Sequence, residues 1–131
     1  MLQNLTKKIL LVLFTGLMSL SAISQGGMKQ RVADRMYSEL AYYKAAELYS
    51  ELAKKDDATA YQIRRAADCY RLIGDWNNSE KWYEKLSNNS GAKADDFYNY
   101  AQMLKMNERY DLANEMMTKF KSMSSEYVSR I

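Results

Sequence analysis

The chain repeats itself three times at one fixed spacing, and this period most constrains what it can fold into. Displaced by 34, Ala45, Ser79 and Ala113 share one column. Around them stand Tyr42-Tyr-Lys-Ala-Ala-Glu-Leu-Tyr49, Trp76-Asn-Asn-Ser-Glu-Lys-Trp-Tyr83 and Tyr110-Asp-Leu-Ala-Asn-Glu-Met-Met117. Ala33, Ala67 and Ala101 form a second small-residue column, with Met36, Tyr70 and Leu104 three residues later, and Leu52, Leu86 and Phe120 close each unit. Residues three and four apart share a helix face, so each unit reads as two amphipathic helices separated by a short break. The breaks fall at Leu40-Ala41, Gly74-Asp75 and Glu108-Arg109. A lone helix pair of this size cannot bury its apolar side, whereas stacked pairs share one continuous core.

The period and its small and aromatic columns resemble the tetratricopeptide repeat, with repeats at 26–59, 60–93 and 94–127. At the eight pattern positions of the three repeats, only Lys29 and Ser79 are not hydrophobic. The resemblance implies an all-α, right-handed α-solenoid of three helix-turn-helix repeats. The proline usual at the end of each repeat is replaced by Asp57, Gly91 and Ser125, and Leu40 stands where the first inter-helix turn commonly has glycine. Turn punctuation must then come from elsewhere. Asp56-Asp57 before Thr59, with Gln62 three residues on, offers a capping box, and Asn88-Asn-Ser-Gly91 a helix stop.

Residues 1–24 have a different character. Lys7 and Lys8 precede the apolar stretch Ile9–Leu20, and Ala22-Ile23-Ser24 supplies small residues before Gln25. That order describes a secretory signal peptide, or failing cleavage an N-terminal anchor. The apolar stretch is too short to span a bilayer, which needs about 20 residues. Cutting after Ser24 removes two Lys and no acid, so the net charge falls from +3 to +1 and residues 25–131 form the repeat domain. A near-neutral exported chain lacks the basic stripe of a nucleic-acid binder.

Composition narrows the chemistry further. With no His and one Cys, histidine metal sites, His-based triads and an internal disulfide are excluded. Cys69, among Ala66, Ala67 and Tyr70, reads as a buried inert thiol rather than an intermolecular pairing site. No nucleophile and base set or phosphate loop is recognisable, so no enzyme, cofactor or metal is expected. Most aromatics fall in core columns: Tyr42, Tyr49, Tyr70, Trp76, Tyr83, Phe97, Tyr100, Tyr110 and Phe120. Asp56-Asp57 and Asp95-Asp96 read as helix caps rather than acid/base pairs.

In the family, first helices of successive pairs line a groove. The resemblance places there Gln30, Asp34, Tyr37 and Ser38, then Tyr61, Arg64, Asp68, Arg71 and Leu72, then Asp95, Tyr98, Gln102, Lys105 and Met106. Such a face suits an extended peptide or a partner helix, with aromatics for area and Arg for carboxylates. It does not suit the acidic tail that some members clamp, because Gln30 and Asp34 occupy the clamp's Lys and Asn positions.

Leu112, Met116, Met117, Phe120 and Met123 make the last helix more apolar than a solvated cap. A homo-oligomer through that helix is one expectation. The signal and the phrase Ala33–Ala46 are also similar to the N-terminal module of Bacteroidetes envelope proteins that continue into a β-propeller and an OmpA-type domain, some linked to type IX secretion. The resemblance implies a periplasmic or outer-membrane-associated scaffold that docks an envelope protein without spanning the membrane. The alternative is a self-associating spacer or a truncated module of a larger peptidoglycan-associated protein.

Overall fold

A computed structural model describes the backbone of residues 1–129 and the side chains of residues 1–9 and 25–125. Six helices follow one another among the described residues: α1 (Leu2–Ser38), α2 (Tyr42–Ala53), α3 (Ala60–Leu72), α4 (Trp76–Ser87), α5 (Ala94–Met106) and α6 (Tyr110–Ser129). Each helix packs against its neighbours in sequence. Three antiparallel pairs therefore stack in a row, as the repeat period requires. α1 runs without interruption through the expected signal and the first helix of repeat 1. The side chains of the expected apolar region and cleavage site lie outside the described residues. Among the described residues, no helix is long and apolar enough to cross a membrane.

The turn inside each pair is the same device three times. Leu40, Gly74 and Glu108, spaced by 34, have φ of 62°, 78° and 62°. In each, the residue after the left-handed one donates its N–H five residues back: Ala41 to Met36 at 2.8 Å, Asp75 to Tyr70 at 2.9 Å and Arg109 to Leu104 at 2.8 Å. These are Schellman closures, which satisfy carbonyls that a helix end otherwise leaves unpaired. Glycine adopts the left-handed conformation without a side-chain clash, whereas Leu40 and Glu108 adopt it at a cost.

Different caps start the second and third pairs. Thr59 accepts from the Gln62 N–H while the Gln62 side chain accepts from the Thr59 N–H, the expected capping box. Asp75 accepts from Asn78 N–H at the start of α4, and Asp96 accepts from Lys93 N–H at 2.7 Å at the start of α5. Asp56 and Asp57 are exposed residues of the preceding turn. α4 stops at Ser87, with Asn88 as its C-cap, and Gly91 beyond it packs closely on α3: a Cβ there would stand 2.6 Å from the Cβ of Ala60.

The repeat columns become the core. Ala33, Ala67, Ala101, Ala45, Ser79 and Ala113 are fully buried where helices approach closely. Ser79 donates its hydroxyl to the Ala67 carbonyl at 2.9 Å, so its polar atom is buried without loss. Leu52, Leu86, Leu104, Tyr49 and Tyr83 are closed off as well. Cys69 is inside this core, and burial pushes its thiol up to about 12, which makes it inert as expected. The third repeat departs from the expectation. Tyr110, placed by its column in the core, is 60% exposed, and Phe120 is half-buried. The equivalents of Tyr110, Tyr42 and Trp76, pack on the core with a following repeat beside them; among the described residues, α6 has none beside it.

Candidate functional site

The first helices of the three pairs, α1, α3 and α5, are joined side to side by polar side chains. Gln62 Nε2 donates to Gln30 Oε1 at 2.8 Å, linking α3 to α1. The same step along the chain recurs as Arg64 to Asp96, linking α3 to α5. There the guanidinium donates Nε and Nη2 to the two carboxylate oxygens, both at 2.7 Å. Arg64 Nη2 also donates to the Gly91 carbonyl at 3.0 Å. The hydrogen bond to Asp96 holds the Arg64 pKa above its ordinary value.

A second, shorter step ties each of the first two leading helices to its own second helix. Tyr49 donates its hydroxyl to Asp34, and Tyr83 donates to Asp68 at 2.5 Å. Burial first, then the neighbouring carboxylate, raises the pKa of both phenols well above the usual tyrosine range. Tyr61 brings a second hydroxyl to Asp34 at 2.8 Å, and Arg71 reaches Tyr83 and Asp68. The third repeat has Gln102 and Met117 at these positions and forms no such pair.

The aromatic groove candidates divide in two. Tyr37 and Tyr61 flank Arg65, whose guanidinium carbon lies 4.2 Å and 5.2 Å from their ring centroids. This cation–π contact is worth about 0.5–2 kcal/mol and leaves the two rings already engaged. Arg65 is not among the candidates named from sequence, since its position in the repeat lies outside the groove set. A signal does exist for half of the contact: Arg65 follows Tyr61 by one helical turn, a spacing that brings two side chains together. Tyr98, by contrast, stands 43% exposed on α5 beside Phe120, with ring centroids 5.3 Å apart.

Internal pairing takes up most of the polar groups on the α1 and α3 part of this face. Gln30, Asp34, Arg64, Asp68 and Arg71 all hold partners within the chain. What it turns outward is mainly apolar and aromatic: Leu72, Tyr98 and Met106, with an edge of Tyr61. Lys105 and Asp95 are exposed beside them, and Gln102 is half-buried. Leu72 and Met106 hold the same position one repeat apart. The other buried carboxylate, Glu80, lies on α4 and binds Asn107 at 2.5 Å and Arg109, fastening the second pair to the third. Among the described residues, no three His, Cys, Asp or Glu side chains converge as a metal site would require.

No family model matches the chain, and no curated protein does. Among solved structures it is similar to the C-terminal part of a TPR repeat-containing protein from Cytophaga hutchinsonii. The TM-score is 0.61 at 24% identity, over 73% of this chain and 38% of that one. The fold is a tetratricopeptide-type α-solenoid. The chain spans well under half the length of that neighbour, so the likeness concerns the repeat architecture.

Proposed function

We propose that the chain is an exported, non-catalytic scaffold whose α1/α3/α5 face docks a segment of another cell-envelope protein. The observation that carries this reading is the division of labour on that face. Arg64 is spent on joining two repeats and Asp68 on closing its own pair, while Leu72, Tyr98 and Met106 remain open to solvent. Exposed apolar and aromatic groups at repeating positions suit the apolar side of a helix or an extended segment. A strongly acidic peptide would find Arg64 and Arg71 already bound. The non-catalytic part of the reading rests on the repeat architecture and on the burial of Cys69.

Export rests on the basic, apolar and small-residue order of residues 1–24. An envelope setting, with a link to type IX secretion or OmpA-type assemblies, rests on the sequence resemblance noted for Ala33–Ala46. The decisive experiment places a photo-crosslinking residue at Tyr98 or Met106, and at exposed Tyr43 on α2 as a control, in the living cell. One partner captured from both groove positions and not from Tyr43 supports the reading. Equal capture at all three positions, or none, defeats it. Mass spectrometry of the same material reads the N-terminus, expected at Gln25.

A further inference from the structure

We propose that copies of this chain stack end to end, the outer face of α6 in one copy seating on the α1/α2 face of the next in the register that joins its own repeats. The inference concerns the two end faces of the described repeats and shares exposed Tyr98 with the groove reading, whereas Met106 belongs to the groove alone and Met28 to the end face alone.

The internal junctions show what such a face normally meets. Ala66 and Tyr100 are buried where the preceding pair covers α3 and α5, and Asp96 is buried beside Tyr100. Their counterparts on α1, Val32 and Met28, are 39% and 65% exposed. With Leu48 of α2 they form the apolar part of an open cavity of about 500 Å³, whose rim carries Gln25, Lys29 and Lys55. The opposite end carries the other half of the same junction. Tyr49 and Leu52, like Tyr83 and Leu86, are closed off by the pair that follows. Their counterparts on α6, Met117 and Phe120, are only half-buried.

Register brings the apolar groups of the two halves opposite each other. The step that joins repeats pairs Gln30 with Gln62 and Arg64 with Asp96, amide with amide and cation with anion. Carried one repeat further, the step takes Tyr98 to the position that Met28 occupies in the next copy. Both are exposed and apolar, and neither would strand a charge. A contact between two different faces of identical chains leaves one copy of each face free in a dimer, so further copies add to it unless the rotation closes a ring. The same register sets Arg31 of one copy near Lys105 of the other, where Arg65 meets Tyr37 internally. These like charges are exposed, so salt screens their repulsion and is expected to strengthen the stacking.

The test is sedimentation velocity of the full chain over a concentration series, at low and high salt. The average mass is expected to rise past a dimer with concentration, and further with salt. Met28→Glu alters an exposed residue and is expected to weaken association about tenfold or more by placing a charge in the apolar contact. Phe120→Glu is expected to do the same from the other end, with circular dichroism confirming the fold. Should Phe120→Glu prove unstable, Met123→Glu replaces it. An equimolar mixture of the two end variants retains one intact contact and is expected to stop at a one-to-one dimer. A monomer at every concentration overturns the proposal. So does a dimer indifferent to Met28→Glu, the mark of a symmetric contact through α6 alone.

Discussion

Arg64 on α3 grips Asp96 on α5 through two parallel hydrogen bonds of 2.7 Å, and this single pair spans two repeats. Asp96 is almost completely buried and also caps the backbone at Lys93. One carboxylate thus serves both the start of a helix and the junction between pairs. Breaking a buried pair leaves a desolvated charge without its partner, which costs about 3–5 kcal/mol when both groups are buried. Arg64 retains some exposure, so Asp96→Ala is expected to cost about 2–4 kcal/mol in urea unfolding. Arg64→Lys is expected to recover little of the bond, because an ammonium cannot match both oxygens in the fork geometry.

The three left-handed turns make a paired prediction. Leu40→Gly and Glu108→Gly are each expected to stabilise the fold by about 0.5–1 kcal/mol, since the left-handed conformation costs a side chain about 1–2 kcal/mol and glycine returns part of that as unfolded-state entropy. Gly74→Ala, at φ 78°, is expected to destabilise by a similar amount. Thermal unfolding of the three variants checks the opposite signs.

Gly91, just after α4, makes room for the start of α3 in the same repeat. Gly91→Ala brings a methyl within 2.6 Å of the Ala60 Cβ, and is expected to destabilise by about 1–3 kcal/mol through overpacking. Ala60→Gly in the same chain is expected to restore much of the loss. A double-mutant cycle in denaturant isolates that coupling.

Alkaline pH is expected to unfold the protein through its buried phenols. Tyr49 and Tyr83 have folded pKa values raised by burial and by Asp34 and Asp68, and burial pushes Tyr100 up to about 12. The stability these groups contribute is fully present below the unfolded tyrosine pKa of about 10 and falls as pH rises through the folded values. Each such tyrosine adds a slope of about 1.4 kcal/mol per pH unit in that window. Phenolate absorbance is expected to rise in two stages, the exposed tyrosines first and these three together with loss of helix. Tyr83→Phe is expected to make the fall in stability shallower.

The period of 34, the small-residue columns and the Thr59–Gln62 cap were legible in the sequence because they are local. A helix face, a break and a capping box are each set within one unit, and repetition multiplies the signal. The groove set was legible as positions on helices but not as chemistry. Gln30, Asp34, Arg64, Asp68 and Arg71 lie where the repeat frame puts them, yet most of what they touch lies on another helix. Arg65 stayed hidden for the same reason, as its aromatic partners come from two different helices. Tyr110 was misplaced because a column assigns burial by analogy, while burial itself depends on a neighbour beyond the repeat.

The sequence by itself determined three helical pairs, their turns and the apolar stripes that make them stack, since those follow from spacing along one chain. Only the tertiary structure decided which charges are spent between repeats and which groups remain free. Hydrogen bonding and desolvation are settled by distances across helices, and the step from Arg64 to Asp96 exists only once the second and third pairs have packed.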